Sequence, residues 1–413
     1  MTTTTARPAG VGALATVAGM LLVATTYGMA RFGVGLFAPA LADERPQLAD
    51  VLGWAAAAQF TSYSVAALAA ARLVDRRPRA GLVLAGVTAT VGCLGVAVTA
   101  TPAVLVAAVF VAGMGGGFAS PALVPVVDAV VAPRARPTAQ SVVNAGTAVG
   151  VVGAGLVAAG TPAVAPAWVL MALLCAGTAA AARWSARSVG AGRHGPAGPG
   201  AGAAPGRGDG PAAVARDVST GTAVDASARR PLLAPAAAAV VVGAGSALTW
   251  TFGPLLLTAA DAVAPARVGW LWVALGAGGV LGVLTGALVA RLGLRRAWCA
   301  CSGALALATA GVALSVATAG PAPAYAGMAL FGAAYMAASG VLILWARQVR
   351  PAGAGAATSV LFVALATGQA VGSAGFGVAR GPLDPVVLAV VAAALCLVGG
   401  AGVLVRPRGT AAA

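Results

Sequence analysis

The chain is organised as long apolar stretches separated by short polar loops. A helix needs about 20 apolar residues to cross a bilayer. Twelve stretches meet or approach that length, at approximately 12–38, 51–74, 81–100, 103–126, 138–160, 164–183, 233–258, 267–290, 296–318, 322–346, 355–379 and 384–405. The pattern predicts an all-α membrane protein with twelve transmembrane helices. Many stretches are rich in Ala and Gly, which let helices in lipid approach closely. The first is not read as a signal peptide, because it lacks a short apolar core with a cleavage site and eleven similar segments follow. Residues 184–231 turn Gly-, Pro-, Ala- and Arg-rich, a composition that buries too little surface to order itself. The expected division is a six-helix bundle over 1–183, a disordered cytoplasmic linker over 184–231 and a second six-helix bundle over 232–413.

Composition agrees with a lipid solvent. Of the 413 residues, 60% are hydrophobic and 8% charged, and the mean hydropathy is +0.94. A soluble enzyme and a disordered protein are both excluded by that balance. The basic residues are 25 Arg with no Lys, which excludes a P-loop lysine, a Schiff-base lysine and a catalytic lysine. The one His, His194, lies in the polar linker, so neither a His-based zinc site nor a Ser-His-Asp hydrolase is expected, and no cofactor or metal is called for. The five Cys (Cys93, Cys175, Cys299, Cys301, Cys396) lie in apolar runs and read as small buried hydrophobes, without a structural disulfide.

Charge placement gives the topology. With both termini on one side, the termini, the linker and loops 2–3, 4–5, 8–9 and 10–11 carry 21 Arg, against Arg45, Arg267 and Arg380 on the other side. The positive-inside rule places the arginine-rich side, and both termini, in the cytoplasm of a multi-pass cell-membrane protein. The net charge of +15 then reports topology and contact with anionic lipid rather than nucleic acid.

The halves read as copies. Gly53-Trp54 corresponds to Gly269-Trp270, Phe32-Gly33 to Phe252-Gly253, Gly150-x-x-Gly153-x-Gly155 to Gly372-x-x-Gly375-x-Gly377, and the string from Ala71 to the one from Gly286, at offsets of 215 to 222. A six-plus-six duplication is the architecture of a rocking transporter whose substrate sits between the halves.

Arg31 is the one charge well inside an expected span. A cation there costs about 2.5–3.5 kcal/mol on insertion scales, so it should face the bundle interior. It reads either as an anchor for an anionic group or as a structural ion pair or helix-carbonyl contact that holds the first span against a neighbour, with Asp43 or Glu44 as the ion-pair partner if the span ends early. Tyr27, Gln59, Tyr63, Asn144, Trp250, Tyr335 and Gln369 fall at midplane depth and are candidate substrate contacts, with hydrogen bonding between helices as the alternative. Trp54, Trp270 and Trp272 read as interfacial anchors. The Gly113-x-Gly115-Gly116-Gly117 run reads as close helix packing or a gating bend. No midplane carboxylate is present, so a coupling proton would ride on the substrate, pass through Asp128, or play no part.

Further strings resemble the major facilitator superfamily. Gly286, Arg291, Gly293, Arg295 and Arg296 fit its loop signature G-x-x-x-D-R/K-x-G-x-R/K-R/K, with Ala290 in place of the acid. The equivalent string in the first half keeps Asp75 and Arg76, and a later basic residue at Arg79. Pro125 to Asp128 and Pro133 to Arg136 resemble the family's loop 4–5, and Tyr27 to Gly33 is similar to its YbfB/YjiJ branch. The resemblance implies the major facilitator fold, alternating access, and a gating role for the signature loops together with Asp128. The reading is a monomeric secondary transporter, not an enzyme, that exports a small organic compound. An importer or uniporter of an organic anion is the runner-up, and a membrane enzyme or scaffold is the reading from another class.

Overall fold

The computed structural model describes residues 9–73, 77–187 and 226–404, and contains helices without strands among them. Twelve helical segments follow one another. α1 runs from Ala9–Val23 through a π-helical stretch, Ala24–Ala30, into Gly33–Glu44. Then come α2 (Leu52–Leu73), α3 (Pro78–Val98), α4 (Pro102–Val130), α5 (Arg136–Gly160) and α6 (Val164–Ser185). The second set begins with α7 (Ala226–Ala259). In α8, Val268–Gly279 passes through a 3-10 stretch, Val280–Leu284, into Thr285–Leu292. α9 (Leu294–Thr318), α10 (Pro321–Val349), α11 (Ala354–Ala379) and α12 (Pro385–Ala401) complete it.

Ten helical segments are long and apolar enough to span a membrane. α2 is not among the ten, and α12 is a shorter apolar helix. The helix ends follow local chemistry. Proline opens α3, α4, α10 and α12, where its missing N–H costs nothing. The Asp384 side chain accepts a hydrogen bond from the Val386 N–H and caps α12. Gly293, at φ +75°, makes the turn from α8 to α9, a conformation only glycine adopts freely. Arg45 donates to the carbonyls of Val96, Ala97 and Thr99, satisfying the orphan acceptors at the end of α3. The described helices end at Ser185 and resume at Ala226, and most of the linker expected over 184–231, residues 188–225, lies outside the described residues.

The repeated glycines do two different jobs. Within each half they seat one helix on another. On α5, a Cβ at Gly146 or Gly150 would overlap the carbonyls of Met20 and Ala24 in α1. On α11, a Cβ at Gly368 or Gly372 would overlap those of Val240 and Ala244 in α7. The same i, i+4 pair of glycines therefore meets the same pair of carbonyls in both halves. Replacing Gly150 with Val should lower stability by at least the ~1–3 kcal/mol typical of overpacking. Gly375 meets nothing within 4 Å, so Gly375→Ala should leave the melting temperature in detergent unchanged. Equal melting of the Gly150 variant and the parent chain would refute the assignment.

The second job joins the halves. Gly155 of α5 lies on Gly269 of α8, where an added Cβ would come within 2.5 Å of the Gly269 carbonyl. Gly377 of α11 lies on Gly53 of α2, where an added Cβ would come within 2.9 Å of the Gly53 Cα. Gly35 of α1 lies on the Trp250 carbonyl of α7. Arg380 adds a hydrogen bond to the Ala49 carbonyl and an ion pair of 3.8 Å with Asp50. All these contacts lie toward the side opposite the arginine-rich loops. Toward the arginine-rich side α5 and α8 part. Ala148 still packs on Gly276 and Gly279, but Asn144, one turn further along the same face, is exposed. On α8, Val280 and Val283 follow Gly276 and are 55% and 80% exposed. The glycine contacts between the halves thus gather on the side opposite the arginine-rich loops, and α5 and α8 separate toward the arginine-rich side.

Candidate functional site

The site begins with the irregular middle of α1. The π-helical stretch carries Tyr27 and Gly28, and two turn residues, Arg31 and Phe32, separate it from the continuing helix. Such stretches recur at functional positions because they re-aim side chains. Gly28 is pressed against Thr147 and Gly150 of α5, which leaves no space for a Cβ. The opposite face of this stretch points Tyr27 and Arg31 at α2.

Arg31 is 2% exposed. Its guanidinium carbon lies 4.3 Å from the Tyr63 ring centroid, 4.5 Å from Tyr27, 5.0 Å from Phe32 and 5.5 Å from Phe60. Nε and Nη1 have no hydrogen-bond partner. Among the described residues no carboxylate pairs with it. The expected partners are placed elsewhere. Glu44 accepts from the Val164 N–H, and Asp43 is exposed in the last turn of the span. This corrects the structural ion-pair reading. The span continues to Glu44, so both acids sit about three turns from Arg31.

Desolvated cation–π contacts contribute about 0.5–2 kcal/mol apiece. Four rings therefore offset much of the cost of burying the charge. They do not satisfy the N–H donors, each of which costs about 1–3 kcal/mol when left unmade. The cage holds a cation and leaves its directional bonding capacity free.

The second half supplies the other wall. The Trp250 ring stacks on Phe32 with centroids 4.3 Å apart, across the boundary between halves. Tyr335, Phe331 and Trp272 surround Trp250 at 5.3, 5.5 and 6.1 Å. Tyr335 lies beside Gln369 and within electrostatic reach of Tyr27 and Arg31. Four more polar atoms in this cluster are buried without partners: Gln59 Oε1, Trp250 Nε1, Trp272 Nε1 and Gln369 Nε2. Thr251 stands where the duplication would place a counterpart of Arg31, and it bonds Ser373 Oγ at 2.9 Å. The cation thus belongs to one half only.

Seven of the eight proposed contacts (Tyr27, Arg31, Gln59, Tyr63, Trp250, Tyr335 and Gln369) come together. The eighth, Asn144, does not, and is exposed where α5 and α8 part, beside Gln140, whose Nε2 donates to its Oδ1 at 3.5 Å. Phe32, Phe60, Phe331 and Trp272 were not singled out as contacts. Phe60 adjoins Gln59, and Phe32 follows Arg31, so proximity in sequence was the available signal. Trp272 corrects an expectation. It is fully buried between the halves, whereas Trp54 and Trp270 are half exposed as interfacial anchors would be.

The glycine run of α4 makes room for this cage. Gly113 sits on Gln59 and Ser62, Gly116 on the Tyr27 ring, and Gly117 on the Tyr63 carbonyl and Ala66. Any larger residue would push α2 and Tyr27 away from Arg31.

The signature-loop residues lie apart. Asp75 and Arg76 fall outside the described residues. Arg79 donates to the carbonyls of Ala186 and Arg187, and Asp128 pairs with Arg136 at 3.9 Å on an exposed surface. Arg291, Arg295 and Arg296 are exposed, and Gly286 and Gly293 have open space around them. These loops do not touch the cage. All six described carboxylates lie at helix ends or in loops.

Residues 20–373 match the family model of the Major Facilitator Superfamily. No curated protein matches the sequence. The fold is similar to that of the nucleoside transporter NupG, at 14% identity and a TM-score of 0.66, covering 94% of this chain and 97% of that one. It is similar to the xylose transporter XylE from E. coli in a partially occluded inward open conformation, at 12% identity and a TM-score of 0.65, covering 94% and 95%. A structure of a D-xylose-proton symporter gives a TM-score of 0.67 at 12% identity, again covering 94% and 95%.

Proposed function

The chain belongs to the Major Facilitator Superfamily, and from that premise we propose that it moves a small organic anion across the bilayer by alternating access, with Arg31 holding the anionic group. One observation carries the reading: a guanidinium buried at 2% exposure in a ring of four aromatics, with Nε and Nη1 unpartnered. A carboxylate would complete it, because guanidinium binds carboxylates through two parallel hydrogen bonds. Tyr27 and Tyr63 stand on the arginine-rich side of Arg31, and Phe32 and Trp250 on the other. We read the separation of α5 and α8 as the start of a path from the arginine-rich side toward the Tyr27–Tyr63 pair, whose rings meet edge-on at 5.4 Å. With the arginine-rich side taken as cytoplasmic, this is an inward-facing state. Within the superfamily the Tyr27–Gly33 string favours the YbfB/YjiJ branch.

No acid stands in the cluster, so any coupled proton rides on the substrate itself. Purified protein in liposomes tests this with two radiolabelled probes of similar size, a small apolar carboxylate and the matching sulfonate. A pH gradient should drive the carboxylate, which binds protons near pH 4, and should not drive the sulfonate, which stays ionised. Proton-driven sulfonate uptake would move coupling back onto the protein. Direction is outward in the reading from sequence, and the fold's likeness to a symporter lends it no support. Accumulation in inside-out cell vesicles establishes export, and accumulation confined to right-side-out vesicles replaces it with import. No flux of any anion, with neutral solutes carried instead, would end the anion reading.

A further inference from the structure

A second recognition site lies on the outside of the first half, away from the aromatic cage. Between α3 and α6 runs a groove of about 300 Å³. Its walls are Val83, Val87 and Val91 on one side and Ala176 and Ala180 on the other. The three valines are spaced four apart, form one face of α3, and are 39%, 51% and 55% exposed. Gly86 and Ala179 close the floor, where a Cβ on Gly86 would overlap that of Ala179. Both helices are membrane spans, so this exposed apolar face meets hydrocarbon.

The groove has one charged end. Arg183 lines it on the arginine-rich side and has no hydrogen bond or ion pair among the described residues. Arg187, one turn beyond, is exposed too. Arg79 of α3 ties the two helices together at this level by donating to the carbonyls of Ala186 and Arg187, so a third cation stands nearby. From Val83 to Val91 the groove runs about 12 Å at 1.5 Å per residue. One leaflet's share of a hydrocarbon core about 30 Å thick is about 15 Å. The dimensions are those of one acyl chain lying within one leaflet, with its polar end at the guanidinium.

We propose that this groove binds an anionic glycerophospholipid from the leaflet on the arginine-rich side, its acyl chain between α3 and α6 and its phosphate on Arg183 and Arg187. Charge complementarity selects the occupant. Arg183 lines the groove, Arg187 follows one turn beyond and Arg79 binds the adjoining backbone, and a zwitterionic headgroup would bring its own cation among them.

Native mass spectrometry of the full chain, stripped of lipid in detergent and supplied with phosphatidylglycerol or phosphatidylcholine, tests the site. The parent chain should retain phosphatidylglycerol preferentially. Arg183→Gln should lower that retention about fivefold, as expected for one basic residue facing an anionic lipid, while Arg183→Lys keeps most of it. Ala180→Phe, which fills the groove, should lower retention of both lipids. A phosphatidylglycerol carrying a photoreactive acyl chain should label residues 83–91 or 176–183. Equal retention of the two lipids by the parent chain, retention indifferent to Arg183→Gln, or labelling confined to other helices would each overturn the proposal. Unchanged melting of Arg183→Gln separates loss of lipid from loss of fold.

Discussion

Arg31→Met should abolish anion transport and raise the melting temperature of the protein. The two effects have one cause. The buried guanidinium has two unpartnered nitrogens, Nε and Nη1, and no ion pair among the described residues. Removing an unpaired charge from mid-membrane relieves about 2.5–3.5 kcal/mol on insertion scales, less the cation–π energy of the rings. A methionine of similar length fills the cage with apolar contacts instead. The anion loses two charged hydrogen bonds at about 1.5–3 kcal/mol each, roughly a 10²- to 10⁴-fold loss in affinity. Arg31→Lys keeps the charge without the planar fork and should fall between. Scintillation proximity binding and thermal unfolding in detergent read the two quantities separately. A variant that melts several degrees lower would make Arg31 a structural residue, and undiminished anion binding would remove it from the site.

Gly35→Val should hold the molecule open on the side now closed, and net flux should fall at least tenfold. Gly35 lies directly on the Trp250 carbonyl, so a branched side chain there prevents α1 from meeting α7. Overlap with backbone cannot be relieved by a rotamer change. The outer contacts of Gly53 with Gly377 and Gly155 with Gly269 would have to part with it, because the halves move as packed units. Spin labels at the exposed residues Gln47 and Ala264 should report a longer distance in the variant than in the parent chain. An unchanged distance distribution with normal flux would show that this contact takes no part in closure.

Much of the fold was legible because lipid imposes a simple rule. Each span must be long and apolar, and all twelve expected stretches correspond to helical segments. The glycine correspondences were legible for a related reason. In lipid the close approach of helices depends on small residues, so a repeated contact leaves a repeated glycine. Arg31 was visible as a lone charge, and Gln59 and Tyr63 as neighbours on one helical face. Other features had no local signature. The π-helical stretch at Ala24–Ala30 differs from an α-helix in hydrogen bonding, not in composition. Asn144 lies nearer the arginine-rich side than the cage, because Gly146 of α5 packs level with Met20 and Gly150 with Ala24, and the length of an apolar run does not reveal such a stagger between helices. Trp272 sits near the start of α8, where a tryptophan reads as an interfacial anchor. Only the packing of α8 against α5 buries it.

The crossed glycine contacts carry an evolutionary corollary. Gly155 and Gly53 belong to one half, and their counterparts Gly377 and Gly269 to the other. Each half therefore offers a helix-five glycine and receives on a helix-two glycine, so the two junctions are a single handshake performed twice about an axis along the bilayer normal. A surface that matches its own copy in this way is what a twofold homodimer requires. An ancestral six-helix protein bearing both glycines would already have paired with itself, before any fusion joined the copies into one polypeptide. Arg31, whose counterpart in the repeat is Thr251, is then a departure from symmetry that only a fused chain could acquire in single copy.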